Sequence, residues 1–476
     1  MKSKDYAKTG TYYLVGNLFN KGIAFLTIII YTRILTAYDY GIINTFSSWV
    51  GILSMILGMS LQNSIRVAFV DFKEKIDDFL SSIISLTLIV GMFLSVLILS
   101  VCVFIRINTN IGIVILCLAQ SLFTAIIEDY SMYLMMKYRY KLRTLILILP
   151  NFLSTVVSVI LIVFIMKNNL YLGKIVPTAL ITVIIALFII IGVYRNGGVR
   201  LNKEYCKYAL AISLPLILHS ISLNILSQSD RIMITSYAGA AQTGIYSLIY
   251  NFSMIASVII SSIEGVWIPW FVLRLKERDI EQINEKAKLY MNIMTYAMVF
   301  ILLFAEEVLK KLATKEYMVG SIIIPPIVLA NYVIYAYSLY VNIEHYYKKT
   351  RTIAINTMIA AVMNLVLNYI FIPRYGYVAA AFTTLGSYLI SFILHYISAK
   401  QIEKDLFDIK LFIKPILLIA IGVVCFYVFE KMWYIRWGGA ILFFVYVFIK
   451  EKERGRGGGV CFCFFFLVFF FFFFFW

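Results

Sequence analysis

The chain has 476 residues, of which 62% are hydrophobic and only 14% are charged, and its formal net charge is +17. Soluble globular domains are about half apolar and a quarter charged, so this composition excludes a soluble protein. The apolar runs are continuous over about twenty residues instead of alternating with polar residues, which predicts spanning helices. We therefore expect an all-α polytopic membrane protein.

Fourteen spans are predicted in chain order, and the connections between them are short. The longest connections, 66–79 and 271–287, are too short to hold a folded extramembrane domain. The spans lie near 11–35, 40–65, 80–105, 111–136, 143–166, 170–194, 208–236, 242–270, 288–312, 321–346, 351–373, 376–399, 411–430 and 433–449.

The positive charge follows the predicted topology. With both termini inside, the inside segments hold 30 Lys and Arg residues and the outside loops hold 10. Such a bias marks the cytoplasmic side of a membrane protein, so the charge is explained without a nucleic-acid partner. The N-terminus lacks a removable signal peptide, and Met1 is expected to stay on the cytoplasmic side.

The chain repeats itself at a constant offset in residue number, which is 203. Six spans separate the matching positions, so the two copies have the same topology, as in transporters built from parallel repeats. The sequence predicts an N-terminal lobe (1–200), a C-terminal lobe (201–402), two extra spans (403–450) and a tail (451–476). The matches are Tyr40-Gly41-Ile42 with Thr243-Gly244-Ile245, Lys73-Glu74-Lys75 with Lys276-Glu277-Arg278, and Leu172-Gly173 with Tyr375-Gly376. The Phe-rich tail is low in complexity and indicates a frame-shifted or mis-assembled end, so we assign it no function.

One polar face stands out within the predicted seventh span. Its residues recur at helical spacing and predict one wall of a polar cavity inside the membrane protein. These residues are Ser220, Asn224, Ser227, Gln228, Arg231 and Thr235.

Candidate substrate contacts follow from that face and from the repeat. Under the repeat offset, Asn17 and Lys21 of the first span are the positions equivalent to Ser220 and Asn224. Two intramembrane cations, Lys21 and Arg231, would suit an anionic head group that moves through a central cavity. The alternatives are that Lys21 extends to the interface and that Arg231 neutralises a neighbouring acid. The predicted substrate-binding residues are Arg231, Lys21, Asn224, Ser227, Gln228 and Asn17.

Four acids inside the spans are candidates for ion coupling. Asp230 points about 100° away from Arg231 on the helix, so it is expected to bond another helix, with cation or proton coupling as the second interpretation. Glu128 and Asp129 could bind a cation or share a proton, or pair with a cytoplasmic-side Lys or Arg. Glu264 ends a polar stripe of the eighth span and either lines the cavity or makes a helix-end contact.

The sequence predicts neither a metal site nor an enzyme. His345 and His395 are expected at the membrane interface, and three scattered histidines make no metal site. The chain has no phosphate-binding loop motif for ATP hydrolysis, and no long outside loop carries a carboxylate pair. We expect no cofactor.

Three stretches carry a family likeness: residues 16–46, 214–251 and 364–389. The middle stretch contains Leu-Pro, then Asp230-Arg231, then a Gly-x-Tyr motif at Gly244. With these motifs the chain resembles the polysaccharide repeat-unit flippases, which export O-antigen, capsule and teichuronic acid units and belong to the multidrug/oligosaccharidyl-lipid/polysaccharide transporter superfamily. The likeness covers the chain from about Lys8 to Lys450, and the Phe-rich tail departs from it.

The resemblance implies a V-shaped pair of six-helix lobes that works by alternating access in the bacterial cytoplasmic membrane. Its substrate would be an oligosaccharide linked to undecaprenyl diphosphate, and its partners would include membrane lipid, the polysaccharide polymerase and glycosyltransferases. The alternatives are a cation-coupled multidrug exporter of the same superfamily, a peptidoglycan-precursor flippase and, from another class, a membrane enzyme such as the repeat-unit polymerase.

The topology is testable by cysteine labelling after the six native cysteines are replaced by serine. Ser3→Cys and Lys452→Cys should be protected from a membrane-impermeant reagent in intact cells, because both termini are predicted inside. Tyr237→Cys, in the loop predicted outside, should react and serves as the control. Labelling of Ser3→Cys in intact cells would contradict the topology.

Overall fold

The computed structural model describes residues 22–23, 25–106, 110–198 and 201–453. These residues are almost entirely helical, and no strand occurs among them. The helices are α1 (Phe25–Ile34), α2 (Ala37–Leu57), α3 (Gln62–Asp71), α4 (Ile76–Phe104), α5 (Ile111–Met136), α6 (Tyr140–Ile160), α7 (Leu172–Gly197), α8 (Lys203–Ala238), α9 (Ala240–Lys276), α10 (Ile280–Leu312), α11 (Ile324–Tyr346), α12 (Thr350–Ile402), α13 (Ile413–Val428) and α14 (Trp433–Glu453). Short 3₁₀ turns cover Lys73–Lys75, Lys315–Ile323 and Ile409–Phe412, and a π-helical turn, Leu161–Ile165, ends α6.

These helices confirm the prediction of an all-α membrane fold. Ten described helical segments are long and apolar enough to span a membrane, and a bent pair within α8 makes eleven. Two shorter apolar helices, Phe25–Ile34 and Trp433–Val447, fall on the predicted first and last spans. The remaining predicted span lies in α12, which contains two spans joined at a break at Gly376. All fourteen predicted spans therefore have a helical counterpart.

The chain forms two compact units. Unit 1 contains Met1–Ser247 and Ala361–Tyr377, and unit 2 contains Leu248–Ala360 and Val378–Trp476. The predicted lobes 1–200 and 201–402 are defined by internal repetition and not by compactness, so they stay a prediction. The tail from residue 454 lies outside the described residues.

Each unit has an apolar core. In unit 1, buried Leu, Ile and Phe side chains of α3, α4, α5 and α7 pack with the start of α8, with Phe79 and Ile126 fully buried among them. In unit 2, α10 is the central helix, because 83% of its most apolar stretch is buried. Aromatic rings around Trp267, Phe407 and Tyr340 fill a second part of that unit.

Unit 1 contains a reciprocal close contact between α2 and the start of α9. A Cβ atom added at Gly41 would lie 1.8 Å from the carbonyl oxygen of Ala240, and one added at Gly244 would lie 1.9 Å from the carbonyl oxygen of Ala37. Gly41 and Gly244 are equivalent positions under the sequence repeat, and so are Ala37 and Ala240. A two-fold rotation produces such a mutual contact, so this crossing agrees with the repeat.

Two further contacts have acceptors at equivalent positions, although their donors, Tyr171 and Tyr377, are 206 residues apart. A side-chain oxygen of Asp39 accepts a hydrogen bond from the backbone N–H of Tyr171, at 3.2 Å. The side-chain oxygen of Gln242, which the repeat makes equivalent to Asp39, accepts one from the backbone N–H of Tyr377, at 3.1 Å. Gly376 precedes that N–H with φ of 58°, and a Cβ there would lie 2.0 Å from the Gln242 oxygen, so this position requires glycine.

We predict that Gly41→Ala and Gly244→Ala each lower the free energy of unfolding by about 1–3 kcal/mol, because the added methyl group meets a backbone carbonyl that cannot turn away. Thermal unfolding of the purified protein in detergent measures the effect. Gly192→Ala is the matched control, since a Cβ at this α7 position would have no neighbour within 4 Å. Equal stability of all three variants would contradict the tight crossing.

Candidate functional site

The six residues of the predicted polar face, from Ser220 to Thr235, lie on α8, a long, bent helix of unit 1, and we call them the α8 polar face. The Asn202 side chain caps the start of α8 by accepting from the backbone N–H groups of Glu204 and Tyr205. The helix bends by 55° between its segments Lys203–Leu214 and His219–Ala238, a break that contains a proline in the sequence. The polar face begins directly after the bend.

Part of this face is paired with α2. Thr45 and Thr235 share a hydrogen bond at 2.5 Å, and the Ser48 hydroxyl donates to Gln228 Oε1 at 3.0 Å. Asn224 Nδ2 contacts Met55 Sδ at 2.9 Å. The Asn224, Gln228 and Thr235 side chains remain half-exposed, so they hold two helices together and still offer polar surface.

Arg231 lies inside unit 1 with only 4% of its surface exposed. Its Nη1 donates to the carbonyl oxygen of Ser227 at 3.0 Å and to Gln228 Oε1 at 2.9 Å. The guanidinium group therefore lies along its own helix, on the same side as the predicted contacts Ser227 and Gln228. A guanidinium group can bind a phosphate through two parallel hydrogen bonds.

Asp230 is held by two other helices, as its direction on α8 predicted. It has no exposed surface, and its carboxylate accepts from the Tyr246 hydroxyl of α9 at 2.6 Å and from Asn368 Nδ2 of α12 at 2.7 Å. Asn364 Oδ1 accepts from Asn368 at 3.1 Å and from the Ser229 hydroxyl at 3.0 Å. We call these five residues the Asp230 network.

The Asp230 network is rich in oxygen atoms, which hard cations prefer as ligands. A cation bound there would meet the carboxylate and, after rotation of the amides, the oxygens of Asn364 and Asn368. No group of three His, Cys, Asp or Glu side chains suited to a metal ion occurs in the described part of the chain.

Glu128 and Asp129 lie on α5 in unit 1. Asp129 is 1% exposed, and its Oδ2 accepts from the Thr87 hydroxyl at 3.2 Å, while its Oδ1 is buried without a hydrogen-bond donor from the described residues. Glu128 is half-buried. Among the residues that the structure describes, no Lys or Arg forms an ion pair with either carboxylate.

Glu264 lies in unit 2, on α9. Its half-buried carboxyl group lies near the Ser338 hydroxyl of α11 and the phenol groups of Tyr335 and Tyr337. The structure thus places this acid beside polar side chains of a neighbouring span. The predicted contacts Asn17 and Lys21 lie outside the described residues.

The sequence analysis missed two buried charged clusters in unit 2. Arg436 of α14 has a fully buried side chain and pairs with Glu306 at 2.7 Å and with Glu307, and Lys310 pairs with Glu306 at 2.7 Å. The second cluster joins Glu344 of α11 to His395 of α12.

His395 is 1% exposed and therefore lies inside the protein, while its predicted position at the membrane interface stays a prediction. It is buried because α11 brings the Glu344 carboxylate against its ring. The one signal available was Glu344 itself, an acid inside the predicted span 321–346.

Comparison with known proteins decides the family. The family model described as "Polysaccharide biosynthesis protein" matches residues 6–274, more than half of the chain. The chain belongs to this polysaccharide biosynthesis protein family. The matched part includes α8 and therefore Asp230, Arg231 and the remaining α8 polar face.

Individual relatives agree with the family. The chain is 22% identical over 410 residues to the capsular polysaccharide biosynthesis protein CapF of Staphylococcus aureus, covering 83% of this chain and 99% of CapF. The inward closed conformation of the lipid II flippase MurJ matches with a TM-score of 0.68 at 16% identity, covering 93% of this chain and 99% of MurJ.

A second solved structure has the same fold. The inward-facing conformation of a multidrug resistance MATE family transporter of the MOP superfamily matches with a TM-score of 0.58 at 16% identity, covering 82% of this chain and 99% of that one. The family member described here is therefore a multi-pass membrane protein with a fold found in flippases and transporters.

Tyr246→Phe tests the Asp230 network. Loss of the hydroxyl leaves the buried carboxylate one donor short, and hydrogen bonds to charged groups contribute about 1.5–3 kcal/mol, so thermal stability in detergent should fall by that order. Tyr369→Phe is the control, because Tyr369 of α12 is 64% exposed. Equal unfolding temperatures for both variants would show that the hydroxyl of Tyr246 does not support Asp230.

Proposed function

We propose that this chain is a flippase that moves an undecaprenyl-diphosphate-linked oligosaccharide repeat unit from the inner to the outer leaflet of the bacterial cytoplasmic membrane. It supplies the assembly of a surface polysaccharide such as capsule or O-antigen. It works by alternating access and makes or breaks no covalent bond. Membership of the polysaccharide biosynthesis protein family and the match to CapF support the polysaccharide.

Buried Arg231 carries this proposal. A cation inside a membrane helix is costly and is retained where it meets an anion or a water-filled cavity. A travelling lipid diphosphate supplies that anion. Arg231 bonds Gln228 and shares one helix face with Asn224 and Ser227, whose amide and hydroxyl groups can bind phosphate or sugar oxygens. Lys21 and Asn17 contribute the equivalent groups of the first span. The polyprenyl tail stays in the lipid.

We assign ion coupling to the acids inside the spans. Asp230, Glu128, Asp129 and Glu264 are buried or half-buried, and each could exchange a proton or a cation during the cycle. Both termini lie in the cytoplasm, and the lobes 1–200 and 201–402 move about the site, with 403–450 as two added spans. The polymerase and the glycosyltransferases of the same polysaccharide act before and after this step.

Two other functions use a related fold. The likeness to MurJ favours a peptidoglycan-precursor flippase, and the likeness to the MATE transporter favours a cation-coupled multidrug exporter. The drug exporter fits less well, because a site for organic cations has no use for buried Arg231. The deletion experiment described next compares the proposed function with these two alternatives.

The test uses a strain in which the gene is deleted. Deletion should stop the display of one surface polysaccharide and leave lipid-linked repeat units on the cytoplasmic leaflet. Complementation with the wild-type chain restores display, Arg231→Lys restores it in part, and Arg231→Ala and Arg231→Glu fail at normal membrane abundance, because the diphosphate needs a cation with forked donors. A deletion that changes only drug susceptibility would favour the multidrug exporter.

Two controls separate binding from folding. Arg374→Ala removes an exposed arginine of the same unit and should export normally. If Arg231 only neutralises a buried acid, Arg231→Ala would fold poorly, at a cost of about 3–5 kcal/mol. Neutralising that acid as well would then restore both abundance and export, and that rescue would remove Arg231 from the substrate contacts.

A further inference from the structure

Unit 2 contains a buried acid and a buried imidazole in direct contact. Glu344 lies near the end of α11 and His395 lies seven residues before the end of α12, so the pair joins two helices. The distance from Glu344 Oε2 to His395 Nδ1 is 2.6 Å. The exposed fractions of the two side chains are 0% and 1%. Water therefore does not reach the pair in this conformation.

The charge of this pair depends on one proton. A carboxylate beside a neutral imidazole carries −1, and one further proton makes the pair neutral whichever atom holds it. No Lys or Arg in the described part of unit 2 forms an ion pair with Glu344 or His395, so no fixed cation offsets the negative charge. Burying a net charge in an apolar environment is costly, so the number of protons on the pair bears directly on the packing of α11 against α12.

A second feature of this site is the other carboxylate oxygen of Glu344. This oxygen, Oε1, is buried and has no hydrogen-bond partner among the described residues. Structural carboxylates inside proteins are normally bonded through both oxygens, because each unsatisfied acceptor costs about 1–3 kcal/mol. A carboxyl group that binds and releases a proton needs one oxygen that can change between donor and acceptor.

The groups around the pair are aromatic or titratable. The Tyr337 ring of α11 stacks on His395, with centroids 5.6 Å apart, and also on Tyr388 of α12 at 6.3 Å. His345 follows Glu344 and interacts with both members of the pair. Beyond Tyr337 lies Glu264 of α9. None of these neighbours carries a permanent positive charge.

We propose that Glu344 and His395 form a proton-binding site that couples this transporter to the proton gradient. This inference rests on the proposed flippase function. One proton from water on one side of the membrane binds the pair, and the neutral pair is buried between α11 and α12. Because the pair lies near the predicted cytoplasmic ends of both helices, the proton leaves to the other side only in the outward-open state of the transport cycle. In this scheme the proton binds at Glu344 and His395, and the four acids assigned to ion coupling above exchange a cation instead.

A structural role and a coupling role predict different behaviour of Glu344→Gln. Glutamine has the shape of glutamate and can keep a hydrogen bond to His395, so a helix contact survives. It cannot release a proton, so coupling is lost. His395→Gln is the second variant should the first fold poorly, and Glu281→Gln, at an exposed glutamate of α10 in the same unit, is the matched control.

The experiment uses the full chain in lipid vesicles with a polyprenyl diphosphate that carries one fluorescent sugar. A membrane-impermeant quencher reports the fraction in each leaflet. Movement of the probe between leaflets in the absence of a pH difference would support the proposed flippase function. For one coupled proton, an imposed difference of about one pH unit should shift the leaflet ratio about tenfold in the wild type and in Glu281→Gln. The ratio should stay near one in Glu344→Gln, which still flips.

Each other result decides against the inference. A tenfold shift in Glu344→Gln, or a wild type that flips without any response to pH, overturns the coupling and leaves the flippase intact. A wild type that does not flip the probe overturns the proposed function and the coupling with it. Infrared difference spectra across pH read the site without substrate: the carbonyl band of a protonated carboxyl group should change in the wild type, and its persistence in Glu344→Gln places the proton elsewhere.

Discussion

Polar groups buried between apolar helices must find their partners inside the protein, because neither lipid nor an apolar core offers hydrogen bonds. Asp230 shows the consequence. Its carboxylate has no exposed surface and is bonded by Tyr246 and Asn368, so one acid ties α8 to α9 and α12. Arg231 is the next residue on α8. The hydrogen bonds of Asp230 fix the rotation of α8, and this rotation also fixes the direction in which the Arg231 side chain points. The orientation of Arg231 therefore depends on the contacts of Asp230.

The two buried clusters of unit 2 satisfy the same constraint in different ways. Around Arg436, two carboxylates and two cations balance each other, and the cluster joins α10 to α14. Glu344 and His395 have no such fixed balance, and their charge changes with one proton. The first arrangement suits a permanent helix contact. The second suits a group that responds to its surroundings.

The fold identifies the structural class of this chain, whereas the side chains of the proposed site bear on its substrate. The same helical fold occurs in a lipid II flippase and in a multidrug transporter, so the fold alone does not decide the substrate. Membership of the polysaccharide biosynthesis protein family indicates the pathway. The polar side chains of α8 indicate which class of ligand we propose for it. A buried guanidinium group beside amides and hydroxyls matches a diphosphate that carries sugars better than it matches an organic cation.

The sequence by itself determined the spans, the helical class and the composition of the α8 polar face, because continuous hydrophobicity and helical periodicity are local properties of the chain. It also contained the constant repeat offset that Gly41 and Gly244 obey in their mutual contacts with Ala240 and Ala37. The tertiary structure decided which polar groups meet. Asp230 bonds Asn368, 138 residues away, and Glu344 meets His395, 51 residues away. Such pairs depend on how separate helices pack, and no local pattern in the chain records that packing.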